Sequence, residues 1–100
     1  GQSFGLNELQ LVDVAPLAVD MVLRRENYAM AAQLVRHFGI DACIDPDTLE
    51  VDLESADSEP EARELAIRAR RTQLEAAAGL AQTLGQTASL SWTLAFVLQR

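Results

Sequence analysis

From Ser89 to Gln99 the large apolar residues fall at every second position: Leu90, Trp92, Leu94, Phe96 and Leu98. Ser89, Ser91, Thr93 and Ala95 fill most of the gaps. A period of two sends one set to one face of a strand and the other set to the opposite face, whereas a helix scatters the same five residues around its axis. The pattern predicts a strand at 88–98. It constrains the fold more than any other feature, because the rest of the chain is alanine-rich and would otherwise read as a small helical bundle.

Glu8 to Val14, rich in Val and Leu and bounded by Asn7 and Pro16, is a candidate first strand at 8–14, with a helical turn as the alternative. Pro16 suits a first helical position, and Ala15 before it is biased away from helix. A helix is expected over 16–38. Leu17, Met21, Arg24, Tyr28, Ala31, Val35 and Phe38 recur at helical spacing, with Gly39 as the stop. A second apolar row, Val19, Leu23, Met30 and Leu34, runs along another side of the same helix. A helix lying on a sheet needs only one apolar face, so this second row must meet something else.

Next, Ile40, Ala42 and Ile44 alternate with Asp41, Cys43 and Asp45, and Leu49, Val51 and Leu53 alternate with Glu50, Asp52 and Glu54. Between them Asp45-Pro46-Asp47-Thr48 has the composition of a type I turn, so a hairpin is expected over 40–53. Ser58 and Glu61 form a capping box with Pro60 in the first turn, and Gly85 is a natural stop, which predicts a helix at 59–84. The resulting order is βαββαβ, the ferredoxin-like α+β arrangement of two helices on one face of a small antiparallel sheet. A three-stranded sheet with the same helical cover and a small helical bundle are the alternatives.

A chain of 100 residues forms one domain, here 1–100, and the absence of a starting methionine suggests that it is cut from something longer. Fifteen acidic and eight basic residues give a net charge of −7, which disfavours nucleic acid as a partner. All eight basic residues are arginine, and with abundant Ala, Leu and Gln this suggests a G/C-rich, bacterial coding bias. The single cysteine rules out an internal disulfide, and no apolar run is long enough for membrane insertion. Together these point to the cytoplasm, with a removed signal or anchor left open.

No assembled chemistry stands out. Cys43 and His37 are the one thiol and the one imidazole. The hairpin register puts Cys43 on the face opposite Ile40 and Ile44, beside Asp41, where carboxylates would raise its pKa and deactivate it. On that outer face Cys43→Ser should be nearly neutral, and His37 caps its helix. The acids Asp41, Asp45, Asp47, Glu50, Asp52, Glu54 and Asp57 lack the spacing and mid-loop glycine of a calcium loop and read as a solvated face. The same face lacks the aromatic platform that RNA binding on such a sheet requires. Glu64, Arg68, Arg71 and Glu75 make ordinary helical charge neighbours, whereas Arg63 and Arg70 lie nearer the apolar side and could pair with a partner's acids. Arg24 interrupts the main apolar seam and must either snorkel or meet a carboxylate.

The expectation is therefore a non-catalytic interaction or oligomerisation module, part of a bacterial multi-subunit assembly, with no metal or cofactor. It would form a homodimer or higher oligomer or bind a dedicated protein partner. The interface candidates are Val19, Leu23, Arg24, Met30 and Leu34 on the two-faced helix, and Trp92 and Phe96 on an apolar edge strand. Two other roles are open. The turn Val14-Ala15-Pro16-Leu17 resembles that of ACT-type βαββαβ domains, although Leu17 stands where that family has glycine and the following helix is longer. The resemblance implies regulation by a small ligand. The chain could also be an accessory subunit of an enzyme whose catalytic residues lie in its partner.

Overall fold

The computed structural model describes residues 8–51, 53–55 and 57–99. Four α-helices, α1 (Glu8–Arg24), α2 (Tyr28–Phe38), α3 (Glu59–Leu84) and α4 (Leu90–Leu98), make up most of them, with three 3₁₀ turns between α2 and α3. No strand occurs among the described residues, so the ferredoxin-like expectation is overturned and the helical alternative holds. The sheet on which the ACT-type resemblance depended is absent from the described residues too. Helix α2 lies at the centre, packed by α1, α3 and α4, and α1 also meets α4.

The expected strand 8–14 is the first half of α1. Leu11, Ala15, Ala18, Val19 and Val22 are all buried. Their spacing of four, three, one and three is one helical face, whereas the adjacent apolar pair Leu11–Val12 breaks the alternation a strand would need. Pro16 sits inside α1 rather than at its start. Its missing N–H leaves the Val12 carbonyl without the usual helical donor, a local cost outweighed by the neighbouring burial.

The expected single helix 16–38 is broken at residues 25–27. Glu26 adopts a left-handed conformation, φ +56°. Its N–H bonds the Leu23 carbonyl at 3.0 Å, and the Asn27 N–H bonds the Val22 carbonyl at 2.8 Å, the paired bonds of a Schellman stop. Asn27 then starts α2 by accepting from the Met30 N–H at 3.2 Å. Gln86, nearly sixty residues away, plugs the same corner. Its Oε1 accepts from the N–H groups of Tyr28 (2.8 Å) and Ala29 (3.4 Å), and its Nε2 donates to the Glu26 carbonyl at 2.7 Å. The break has a packing logic. It folds the second apolar row back on itself, so that Val19 and Val22 share one core with Met30 and Leu34.

The expected hairpin 40–53 is a connector of 3₁₀ turns at Asp41–Cys43, Pro46–Thr48 and Leu53–Ser55. The Asp45-Pro46 turn itself is present, with the Asp45 carboxylate accepting from the Asp47 N–H at 3.0 Å. What fails is the alternation around it. Ile40, Cys43 and Ile44 pack together on the core, a helical rather than a period-two spacing.

Helix α3 has the bounds and caps expected of it: Ser58 accepts from the Glu61 N–H, Pro60 lies in the first turn, and Gly85 closes the end at φ +70°. The expected strand 88–98 is α4. Ser89 caps it by accepting from the Trp92 N–H at 3.1 Å, and Thr93 Oγ1 donates to the Ser89 carbonyl at 2.8 Å. The fully buried residues are Thr93 and Val97, one turn apart, and not the alternating large residues. A run this dense in apolar residues accommodates both periods. α2 offers a helix surface to pack on, and no described strand offers a ladder to join.

Candidate functional site

The seven interface candidates scatter into three environments. Val19, Met30 and Leu34 belong to the buried core. The reasoning that left their row uncovered on a sheet fails here, because α1 and α2 cover each other. Leu23 and Arg24 line a cleft of about 320 Å³ between α1, the connector and α3. Trp92 and Phe96 come together with Met30, around a shallow depression of about 140 Å³ completed by Ala95 and Gln99. The Arg25 guanidinium lies 5.8 Å from the Phe96 ring centroid, a cation–π contact at the rim of α4.

The cleft is braced by charge. Asp20 receives Arg24 Nε at 2.8 Å and an Arg70 guanidinium nitrogen at 2.8 Å, while Arg24 reaches Glu50 at 3.0 Å with its other arm. Arg24 thus meets two carboxylates, as its place in the apolar seam required. Arg63 bonds Asp47 at 3.2 Å and Arg71 bonds Asp41 at 2.8 Å. Arg63 and Arg70, which the sequence left able to pair with a partner's acids, meet carboxylates of their own chain. Arg68 and Glu64 make the expected i,i+4 pair at 4.0 Å. Burial pulls the Asp20 carboxyl up, but the hydrogen bonds and charges of Arg24 and Arg70 outweigh it and hold the group below the usual 3.8. These pairs matter because the first half of α3 has little apolar anchorage. Ala62 is its one buried residue before Leu74, Ala77 and Ala81 take over.

Cys43 is placed differently from the sequence reading. It is 1% exposed and shares the core with Ile40 and Ile44 rather than facing away from them. Its Sγ donates to the Leu34 carbonyl at 3.6 Å. Burial, rather than neighbouring carboxylates, pushes the thiol up to about 11, so it is protonated and unreactive at neutral pH. Cys43→Ser is expected to cost about 1–2 kcal/mol in urea unfolding, because a more polar group enters an apolar site. A change within half of that lower figure would return Cys43 to the surface. His37 packs edge-on against Phe38, ring centroids 4.6 Å apart.

Among the described residues no group of three or more His, Cys, Asp and Glu side chains could hold a metal ion. No described helix is long and apolar enough to cross a membrane. Asp52, one of the acids expected on an outer face, lies outside the described residues.

The sequence reading missed two glutamines. Gln86 caps α2, and Gln33 Nε2 donates to the Ala88 carbonyl at 2.8 Å. Between them they seat the short linker of α4 on α2. Nothing local in the sequence signals such bonds, since each spans more than fifty residues. Charge distribution was legible but unread. Nine of the fifteen acids lie between Asp45 and Glu64, and no charged residue occurs from Ala76 to Gln99. Comparison of the chain with family models, curated proteins and solved structures yields no match.

Proposed function

We propose that the protein is a non-catalytic interaction module, a component of a larger protein assembly, and that α4 is the element through which it docks. The observation carrying this reading is the exposure of an uncharged helix. α4 carries no charge, and its polar side chains are the two hydroxyls of Ser91 and Thr93, a composition that belongs to a helix covered on most sides. Here it buries Thr93 and Val97 against the core, while Trp92 is 66% exposed and Leu98 48% exposed. An exposed tryptophan beside a depression is the residue type that most often anchors a protein interface. The cleft at Asp20 is less suited to ligand sensing. Its two guanidiniums already hold Asp20 and Glu50, so an incoming anion would have to displace a carboxylate of the chain itself.

The test is the size of the purified 100-residue chain after incubation in an extract of its source. The wild-type chain should elute above its own 10.9 kDa, and Trp92→Glu should move it down to that mass without loss of helical dichroism. Elution of both forms as free monomers would overturn the reading.

A further inference from the structure

We infer that the occupant of the α4 surface is a second copy of this chain, docked antiparallel about a two-fold axis at Ala95. The inference rests on the interaction reading above and adds to it a partner and a geometry.

Charge selects the partner. The chain carries −7, so two copies repel wherever their acidic surfaces meet. The acids concentrate in 45–64, which forms part of the connector and the start of α3. α4 packs against α2 and α1 and has no packing contact with α3 or with the connector turns. It lies inside the uncharged stretch 76–99. Two copies approaching through α4 therefore bring no acid of that helix into contact, and the Arg25 guanidinium stays at the rim, held over its own Phe96 ring.

Shape selects the geometry. Trp92, Ala95 and Leu98 are spaced three apart, with Ala95 at the middle of the outer face of α4, opposite Thr93 and Val97. All three are exposed. A small residue flanked by two large ones is self-complementary under a two-fold axis. The alanines let the helices approach closely, and Trp92 of each copy comes level with Leu98 of the other. Such isologous contacts are the commonest way for one patch to bury itself. Two nine-residue helix faces bury on the order of 800 Å² in total, the scale of weak or transient interfaces. An interface of this class is expected to dissociate on dilution from millimolar to low-micromolar concentration.

Trp92 is the only tryptophan, so its emission reports this surface alone. The purified full chain, diluted from near-millimolar to low-micromolar, should shift its emission to longer wavelength as its light-scattering mass falls from dimer to monomer. Trp92→Glu should be monomeric throughout with unchanged dichroism. Mild oxidation should cross-link Ala95→Cys into a covalent dimer, since the axis brings two such positions within disulfide reach. Thr72→Cys, exposed on α3, should not cross-link. A purified chain that stays monomeric with constant emission overturns the second copy, and if incubation in the source extract still gives a larger species the interaction reading survives. A dimer that Ala95→Cys fails to cross-link overturns the geometry.

Discussion

Leu34→Ala should lower the unfolding free energy by about 2–5 kcal/mol, the range for removing a large side chain from a closed core. Leu34 is wholly buried and sits on the central helix, where α1, α3 and α4 converge. There is little slack to fill the hole, because a close-packed cluster relaxes only partly around a deleted side chain. In a domain of this size such a loss is a large fraction of the total stability. Urea unfolding monitored by dichroism measures it. The same substitution separates core from interface. An interface leucine would change the oligomer mass and leave the midpoint nearly unmoved, whereas a core leucine shifts the midpoint.

Asp20→Asn should cost about 2 kcal/mol, the scale of a hydrogen-bonded charge left without its partner. Asp20 is the one carboxylate shared by Arg24 and Arg70, and the Arg70 side chain is only 12% exposed. Asparagine keeps the shape and one acceptor but withdraws the charge. The pH dependence has a definite sign. The folded Asp20 carboxyl titrates below 3.8. Its stabilisation is therefore complete above the unfolded value and is lost as the pH falls through the lower folded one. Wild-type stability should drop below about pH 4, and Asp20→Asn should drop less steeply there. Equal slopes for the two proteins would show that the pair contributes nothing. Because the Arg70 and Asp20 side chains are mostly buried, salt should weaken this pair less than the more exposed Arg63–Asp47 and Arg71–Asp41 pairs.

The sequence shows different parts of this fold with different clarity. Helix α3 was legible to the residue because its ends carry their own chemistry: a serine cap, an early proline and a terminal glycine. The break at Glu26 was not, because the apolar spacing runs through it and a glutamate rarely adopts the left-handed conformation found there. Asn27 was the one local sign. The strand readings at 40–53 and 88–98 failed for a shared reason. Alternation shows which residues could share a face, but a strand exists only when another strand pairs with it. Of the site residues, Trp92 and Phe96 were picked as aromatics on an apolar edge strand; the strand is a helix, and the two line one depression on it, Trp92 exposed and Phe96 partly buried. Val19, Met30 and Leu34 were picked on the premise of a sheet and moved inside with its loss.

The corner between α1 and α2 cannot be finished by its own residues. Two N–H groups at the start of α2 and the carbonyl of Glu26 wait for one side chain, Gln86, which arrives only when α3 has formed and turned back. Local helical pairs usually fold fast because their contacts are near in sequence, and this one contains a long-range dependence at its hinge. α1 and α2 therefore gain their full protection only in the complete chain. Amide exchange at Tyr28 and Ala29 is expected to follow the global opening of the domain, and exchange as fast as that of a frayed helix end would contradict this. The corner that looks most local in the topology is thus a meter of cooperativity for the whole domain.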